Sequence, residues 1–185
     1  MTDQAERLSG PAGPAADPES VTCLRPLALP ESTTGMLWLT GLPDSNLRVA
    51  GFLDDTTAAG VQHVVILTED REIRDLAPAY ARVLASQPLP FSLTRLPIRD
   101  FGVPESTPGF RQTAGKIAAA LRMGERVVMH CRGGIGRTGL MAQAVLIELG
   151  VPPGQAETQV AAAGSRCETE EQIAFLRGAY SDVEN

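Results

Sequence analysis

The distribution of apolar and polar positions changes character near Pro26. Residues 1 to about 22 are rich in Ala, Pro, Gly, Ser and acids and show no apolar period. The stretch Gly10-Pro11-Ala12-Gly13-Pro14 cannot bury enough surface to offset its ordering entropy. The pattern therefore predicts a disordered tail over 1–22 and one folded domain over 23–185. Within that domain Met36–Thr40 reads as a first strand, and Asn46–Ala59 as a helix followed by Gly60 as a turn residue. Val61–Thr68 (VQHVVILT) is a continuous, largely β-branched run, the pattern of a strand buried on both faces. Glu69–Ser86 is helical in composition but broken at Pro78, since proline inside a helix costs about 3 kcal/mol. Phe91–Ile98 alternates as a strand, Arg99–Pro108 reads as a loop, Gly109–Met123 as a helix and Arg126–His130 as a short buried strand. An apolar helix, Gly136–Leu149, is stopped by Gly150 and Pro152, and two more helices cover about Pro153–Ala163 and Glu168–Tyr180. Strands alternating with helices predict an α/β fold with a central, mainly parallel sheet flanked by helices. No internal repeat is visible.

Length and composition fit that reading. A chain of 185 residues has room for one hydrophobic core. Its formal net charge of −6 argues against a general nucleic-acid binder, which needs a basic face, but leaves room for a small basic pocket. Lys116 is the single lysine among 16 cationic residues. Arginine suits planar recognition of oxyanions. No apolar run approaches the ~20 residues needed to cross a bilayer, and the first residues lack the apolar core of a signal peptide. Neither a membrane nor a nucleic-acid partner is expected. Three cysteines, Cys23, Cys131 and Cys167, are too widely spaced to suggest a disulfide framework, and a reducing cytoplasm suits them.

Only Cys131 has a chemical context. A buried strand would deliver it to the carboxyl edge of the sheet, where open α/β sheets bind ligands. The helix starting near Gly136 would aim its free N–H groups and positive dipole end back at the loop. Gly133, Gly134 and Gly136 permit conformations that turn successive N–H groups inward. Arg132, Gly133, Gly134, Ile135 and Gly136 would then form an anion nest. Arg137, on the first helical turn, can grip two non-bridging phosphate oxygens side by side. That field favours a thiolate, the competent nucleophile, at Cys131. Thr138 can donate its hydroxyl to the sulfur and later help expel it from a phosphocysteine, while His130 orients the loop through ring hydrogen bonds. Positive charge from Arg137 and the N–H groups leaves no role that demands a metal or other cofactor.

His130 to Thr138 resembles the HCxxGxxRT signature of the protein tyrosine phosphatase superfamily, and the late position of the loop resembles its dual-specificity branch. Segments Trp38–Pro43, Leu96–Pro104 and Gly164–Leu176 resemble the cyclin-dependent-kinase-associated phosphatase group, so that the likeness spans about Leu27–Tyr180. The resemblance implies a general acid on a loop upstream of the cysteine, and Asp100 holds that place between Pro97 and Pro104. Glu105 fits better as an exposed residue at a helix start. In that group and in tyrosine-specific relatives a Gln-containing segment near the C-terminus positions the hydrolytic water. Here Glu168 stands at the first matching place and Gln172 at a second, with Gln172 equally readable as an ordinary helix-face residue.

No deep-pocket phosphotyrosine-recognition segment is evident, so phosphoserine and phosphothreonine are expected to be accepted beside phosphotyrosine. The loop holds Arg132 and no lysine, unlike many lipid phosphatases of the superfamily. The resemblance thus implies phosphoprotein substrates and a kinase as a further partner. Two other readings are a phosphoprotein-binding module and a kinase regulator acting by docking.

Overall fold

The computed structural model describes residues 24–86 and 88–181, so the tail expected over 1–22, and Cys23, lie outside the described residues. Five strands, β1 (Arg25–Leu27), β2 (Met36–Thr40), β3 (His63–Ile66), β4 (Ser92–Arg95) and β5 (Arg126–His130), form one sheet in the order β1-β2-β5-β3-β4. β2, β5, β3 and β4 run parallel, and β1 pairs antiparallel with β2. Thr40 pairs with His130, and His130 with Ile66, so the three central strands end at one level. That shared carboxyl edge is where the chemistry gathers.

Alternation along each strand divides two cores. Leu37, Leu39, Val65, Val127 and Met129 point to one side of the sheet. There they meet α4 (Thr107–Arg122), α5 (Gly136–Glu148), α6 (Pro153–Ala162) and α7 (Glu170–Ala179). Trp38, Val64, Ile66 and Val128 point the other way, onto Phe52 of α1 (Asn46–Ala58) and Tyr80 of α3 (Pro78–Ala85). Every residue of α5 from Gly136 to Ile147 is buried, because α4, α6 and α7 surround it. Gly139 makes this possible on one side: a Cβ there would overlap the backbone of Arg166.

The expected α/β layering is therefore present, and the elements depart from the sequence reading mainly at their ends. The break foreseen at Pro78 separates α2 (Asp70–Leu76) from α3, with the proline in the first turn of α3 and Ala77 at φ −137° between them. β3 is shorter than the run Val61–Thr68, yet Leu67 still donates to the His130 carbonyl and accepts from Ile98 N–H just past the strand. β1 escaped the pattern because three residues containing Pro26 carry no readable alternation. α4 starts two residues before Gly109, since Ser106 Oγ accepts from Gly109 N–H at 3.1 Å and Pro108 suits the first turn. α7 starts two residues after Glu168, because Thr169 caps it by accepting from Gln172 N–H at 3.1 Å. Among the described residues no helix is long and apolar enough to cross a membrane.

Candidate active site

β5 ends at His130 and hands Cys131 to the loop that leads into α5. The carbonyls of Arg132 and Gly134 are anchored to the scaffold. Arg132 O accepts from Leu42 N–H at 2.9 Å, and Gly134 O accepts from Ser165 Oγ at 2.6 Å and from the Arg25 guanidinium. Ile135 O accepts from Gly139 N–H inside the helix. The N–H groups of residues 132–136, by contrast, donate to no partner among the described residues. Carbonyls held back and amides left over give the polarity of an anion nest. Gly134 sits at φ +68°, and a Cβ there would overlap the Thr40 carbonyl, so both the backbone angle and the space require glycine.

His130 is fully buried beneath this loop. Its Nδ1 lies 3.3 Å from the Cys131 carbonyl and its Nε2 3.0 Å from the Tyr80 hydroxyl. A carbonyl can only accept, so Nδ1 carries the proton and Nε2 accepts from Tyr80. Burial lowers the His130 pKa to about 4, with the Cys131 carbonyl opposing and Arg95 and Arg137 reinforcing the shift. The ring is neutral at neutral pH and, wedged edge-on against Tyr80 and Phe52, fixes the backbone at the cysteine.

Arg137 is 2% exposed and makes four charge-assisted contacts. Nη1 donates to Glu72 Oε2 at 2.8 Å and to the Ile98 carbonyl at 2.9 Å. Nη2 donates to Glu72 Oε1 at 3.0 Å and to Asp100 Oδ1 at 2.9 Å. Burial alone would lower its pKa, but Glu72, Cys131 and Asp100 together raise it above the ordinary value, so the cation is permanent. Glu72 was not singled out in the sequence. A buried arginine demands a carboxylate, but Glu69, Asp70, Glu72 and Asp75 all follow the same strand, and only the phase of α2 selects Glu72.

Asp100 sits in a turn closed by Gly102 N–H donating to Arg99 O at 2.9 Å. Besides Arg137, its Oδ2 lies 3.7 Å from Arg132 Nη1. The structure thus brings Asp100, Arg132 and Arg137 together beside the cysteine loop. A cleft of about 420 Å³ opens here, lined by Arg71, Glu72, Arg99, Asp100 and Arg132 among others. Glu105 is exposed.

Thr138 differs from expectation. Its hydroxyl is buried and has no hydrogen-bond partner among the described residues, so the expected donation to the Cys131 sulfur is not made. As the third residue of α5, Thr138 is carried by the helix phase into the core, where all its neighbours are packed. Gln172 is fully buried and spends its amide on backbone, while the Glu168 carboxylate lies over Gly136, where a Cβ would overlap its Oε2. Cys167 accepts from Gln143 Nε2 at 3.6 Å and lines a separate cavity with Ile147, Glu157 and Leu176. Burial and the nearby Glu157 push its pKa up to about 11 against the Gln143 bond, so its thiol stays protonated. Among the described residues no group of three or more His, Cys, Asp or Glu gathers as a metal site would.

The same fold occurs in several solved structures. A kinase associated phosphatase bearing serine for its catalytic cysteine is 19% identical, with a TM-score of 0.75 over 88% of this chain and 96% of that one. A mouse putative dual specificity phosphatase is 16% identical, with a TM-score of 0.64 over 92% and 95%. A human tyrosine phosphatase-like serine/threonine/tyrosine-interacting protein is 20% identical, with a TM-score of 0.63 over 80% and 93%. No curated protein matches the chain. The model of the family described as "Tc-R-P: Polymorphic toxin system, DSP-PTPase phosphatase" matches residues 45–151, more than half of the chain and the whole span from Glu72 through Asp100 to Cys131 and Arg137; the chain belongs to that family of cysteine-dependent phosphatases.

Proposed function

We propose that this phosphatase hydrolyses phosphate monoesters on proteins, phosphotyrosine together with phosphoserine and phosphothreonine, through a phosphocysteine at Cys131. The observation that carries the reading is the convergence of Asp100 and Glu72 on one buried guanidinium, Arg137, at the mouth of the Cys131 loop. An incoming phosphoryl dianion competes with Asp100 for Nη2 of Arg137, while Glu72 and the Ile98 carbonyl keep the guanidinium in place. Unpaired N–H groups of residues 132–136 receive the remaining oxygens. The Cys131 thiolate then attacks phosphorus, the bond to the leaving oxygen breaks, and Asp100 gives that oxygen a proton. In the second half a water attacks phosphorus, Asp100 takes its proton, the S–P bond breaks and inorganic phosphate leaves with the thiolate restored. His130 acts through the backbone at Cys131, and Thr138 through helix packing in the resting state.

Around the cleft Arg71, Arg99 and Arg132 are matched by Glu69, Glu72, Asp75 and Asp100, with Arg71 paired to Asp75 and Arg132 to Asp100, so the cleft offers little to a polyphosphorylated ring. A thiolate nucleophile is kept reduced in the cytoplasm, where we place the protein. The likeness to a kinase associated phosphatase adds a kinase to the partners to be tested. A binding module without turnover is the less favoured reading, because Cys131 and Asp100 are both present and Asp100 already faces Arg137.

The deciding experiment is a panel of phosphotyrosine and phosphoserine peptides, inositol phosphates and nucleotides, each with and without EDTA. Turnover is expected for the peptides and for aryl phosphates, undiminished by EDTA. Turnover confined to inositol phosphates or nucleotides would overturn the substrate assignment, and chelation reversed by added divalent ion would overturn the mechanism.

A further inference from the structure

Phe101, next to Asp100, stands at φ +59°, in the left-handed region that side chains other than glycine rarely occupy. It is the third residue of the turn Arg99–Gly102, the place where some tight turns ask for glycine, yet the glycine follows at 102. Phe101 is 58% exposed and belongs to neither core cluster of the described residues. The turn that aims Asp100 is therefore held from outside itself.

The holding groups come from the start of α7, some seventy residues on in the chain. Gln172 Nε2 donates to the Gly102 carbonyl at 3.0 Å, a pair separated by 70 positions. Thr169 Oγ1 reaches the Phe101 carbonyl at 3.4 Å. Gln172 Oε1 accepts from Glu168 N–H at 2.9 Å. A backbone carbonyl accepts and a backbone N–H donates, so these two partners fix which end of the amide faces which. With the side chain fully buried, Gln172 presents no surface to a water in the cleft.

We propose that Gln172 is a positioning residue for the general acid: it clasps the strained turn at Gly102 and thereby holds Asp100 over Arg137, and it does not position the hydrolytic water. The assignment rests on the reading of Asp100 as the acid. It separates two halves of one reaction. A clasp acts on the first half, when the leaving oxygen needs its proton, and so appears in kcat/KM. A water-positioning group acts on the second half, which kcat/KM does not contain.

The test compares aryl phosphates whose phenols are strongly and weakly acidic, with Gln172→Glu and Gln172→Met. The glutamate keeps an acceptor for Glu168 N–H but loses the donor to Gly102, and the methionine keeps the length and loses both bonds. Circular dichroism and the unfolding midpoint report, independently of turnover, whether each variant has folded. For the weakly acidic phenol, kcat/KM is expected to fall about tenfold or more, a part of the ~10²–10⁴-fold that general acids supply. For the strongly acidic one it is expected to change less than about threefold, with no larger burst of phenol in the first turnover. Equal losses for both esters, no loss for either, or an enlarged burst with unchanged kcat/KM would each overturn the proposal. Asp100→Asn is run alongside. If it shows no dependence on the leaving group, the reading of Asp100 as the acid fails; if it does and Gln172→Glu does not, only the clasp fails.

Discussion

At the scale of single residues, the site depends on charges that cannot relax. Cys131 is 2% exposed and lies at the floor of a loop whose amides and Arg137 hold positive charge around it. Cys131→Ser leaves those groups intact and replaces the thiol proposed as the nucleophile by a hydroxyl. Aryl phosphate hydrolysis is expected to vanish while competitive binding of inorganic phosphate persists, measurable by calorimetry; more than a few per cent of residual turnover would exclude Cys131 as the nucleophile. Glu72 tests the other side of the same field. It supplies two of the four contacts of a guanidinium that has almost no water, and removing one partner of a buried pair costs about 3–5 kcal/mol. Asp100 and the Ile98 carbonyl remain, so Glu72→Ala is expected at the lower end, about 3 kcal/mol in denaturant unfolding, with activity falling at least as steeply. An unchanged midpoint would show that Arg137 does not need Glu72. Cys131 and Asp100 could be singled out from sequence because motif and position mark them. Glu72 could not, since four acids fall in the seven residues 69–75 that follow β3 and α-helical phase alone separates them.

At the scale of elements, the Cys131 loop is held by contacts that span the chain. Arg25 from β1 and Ser165 after α6 converge on the Gly134 carbonyl, and Leu42 after β2 holds Arg132. Gly134→Ala meets both a positive φ and the Thr40 carbonyl. The left-handed angle alone costs roughly 1–2 kcal/mol, and the overlap forces the nest to open. Stability is expected to drop by about 2 kcal/mol or more, and affinity for inorganic phosphate about tenfold; wild-type values for both would mean that the loop adopts another conformation. Here the limits of the sequence are physical. β5 and α5 were legible because VVM and the run after Gly136 are continuously apolar and bounded by glycine or proline turn signals. β1 was not, because its three residues gain their order from pairing with β2. Nor was the role of Gln172, which depends on α7 starting at Glu170 and on a turn that takes its left-handed residue at Phe101 instead of Gly102. Thr138 had a plausible chemical role in the motif, and the burial of α5 set its direction instead.

At the scale of the whole molecule, the two cores meet at the carboxyl edge of β5, and His130 is the polar group that sits there. It is fully buried against Phe52 and Tyr80 on the side of α1 and α3, while its backbone runs into the Cys131 loop that leads into α5. Its folded pKa of about 4 lies below the 6.5 of an unperturbed histidine. Between those values the unfolded chain binds a proton that the folded one refuses. The contribution is therefore complete above pH 6.5, is lost as the pH falls toward 4, and gives a stability that rises with pH across that window. At 1.36 kcal/mol per pKa unit the full effect is on the order of 3 kcal/mol. His130→Gln removes the titration but keeps a polar group beneath the loop. The variant is expected to be less stable at pH 7, because the Tyr80 hydroxyl loses its fitted acceptor, and to show a flatter fall on acidification. Urea unfolding of both proteins at intervals from pH 7 to 4.5 reads the difference directly, since carboxylates common to the two cancel. Converging curves, with the gap narrowing by about 2–3 kcal/mol, are expected. Parallel curves would mean that His130 is protonated in the fold as readily as in the unfolded chain, and that the neutral ring does not set the backbone at Cys131.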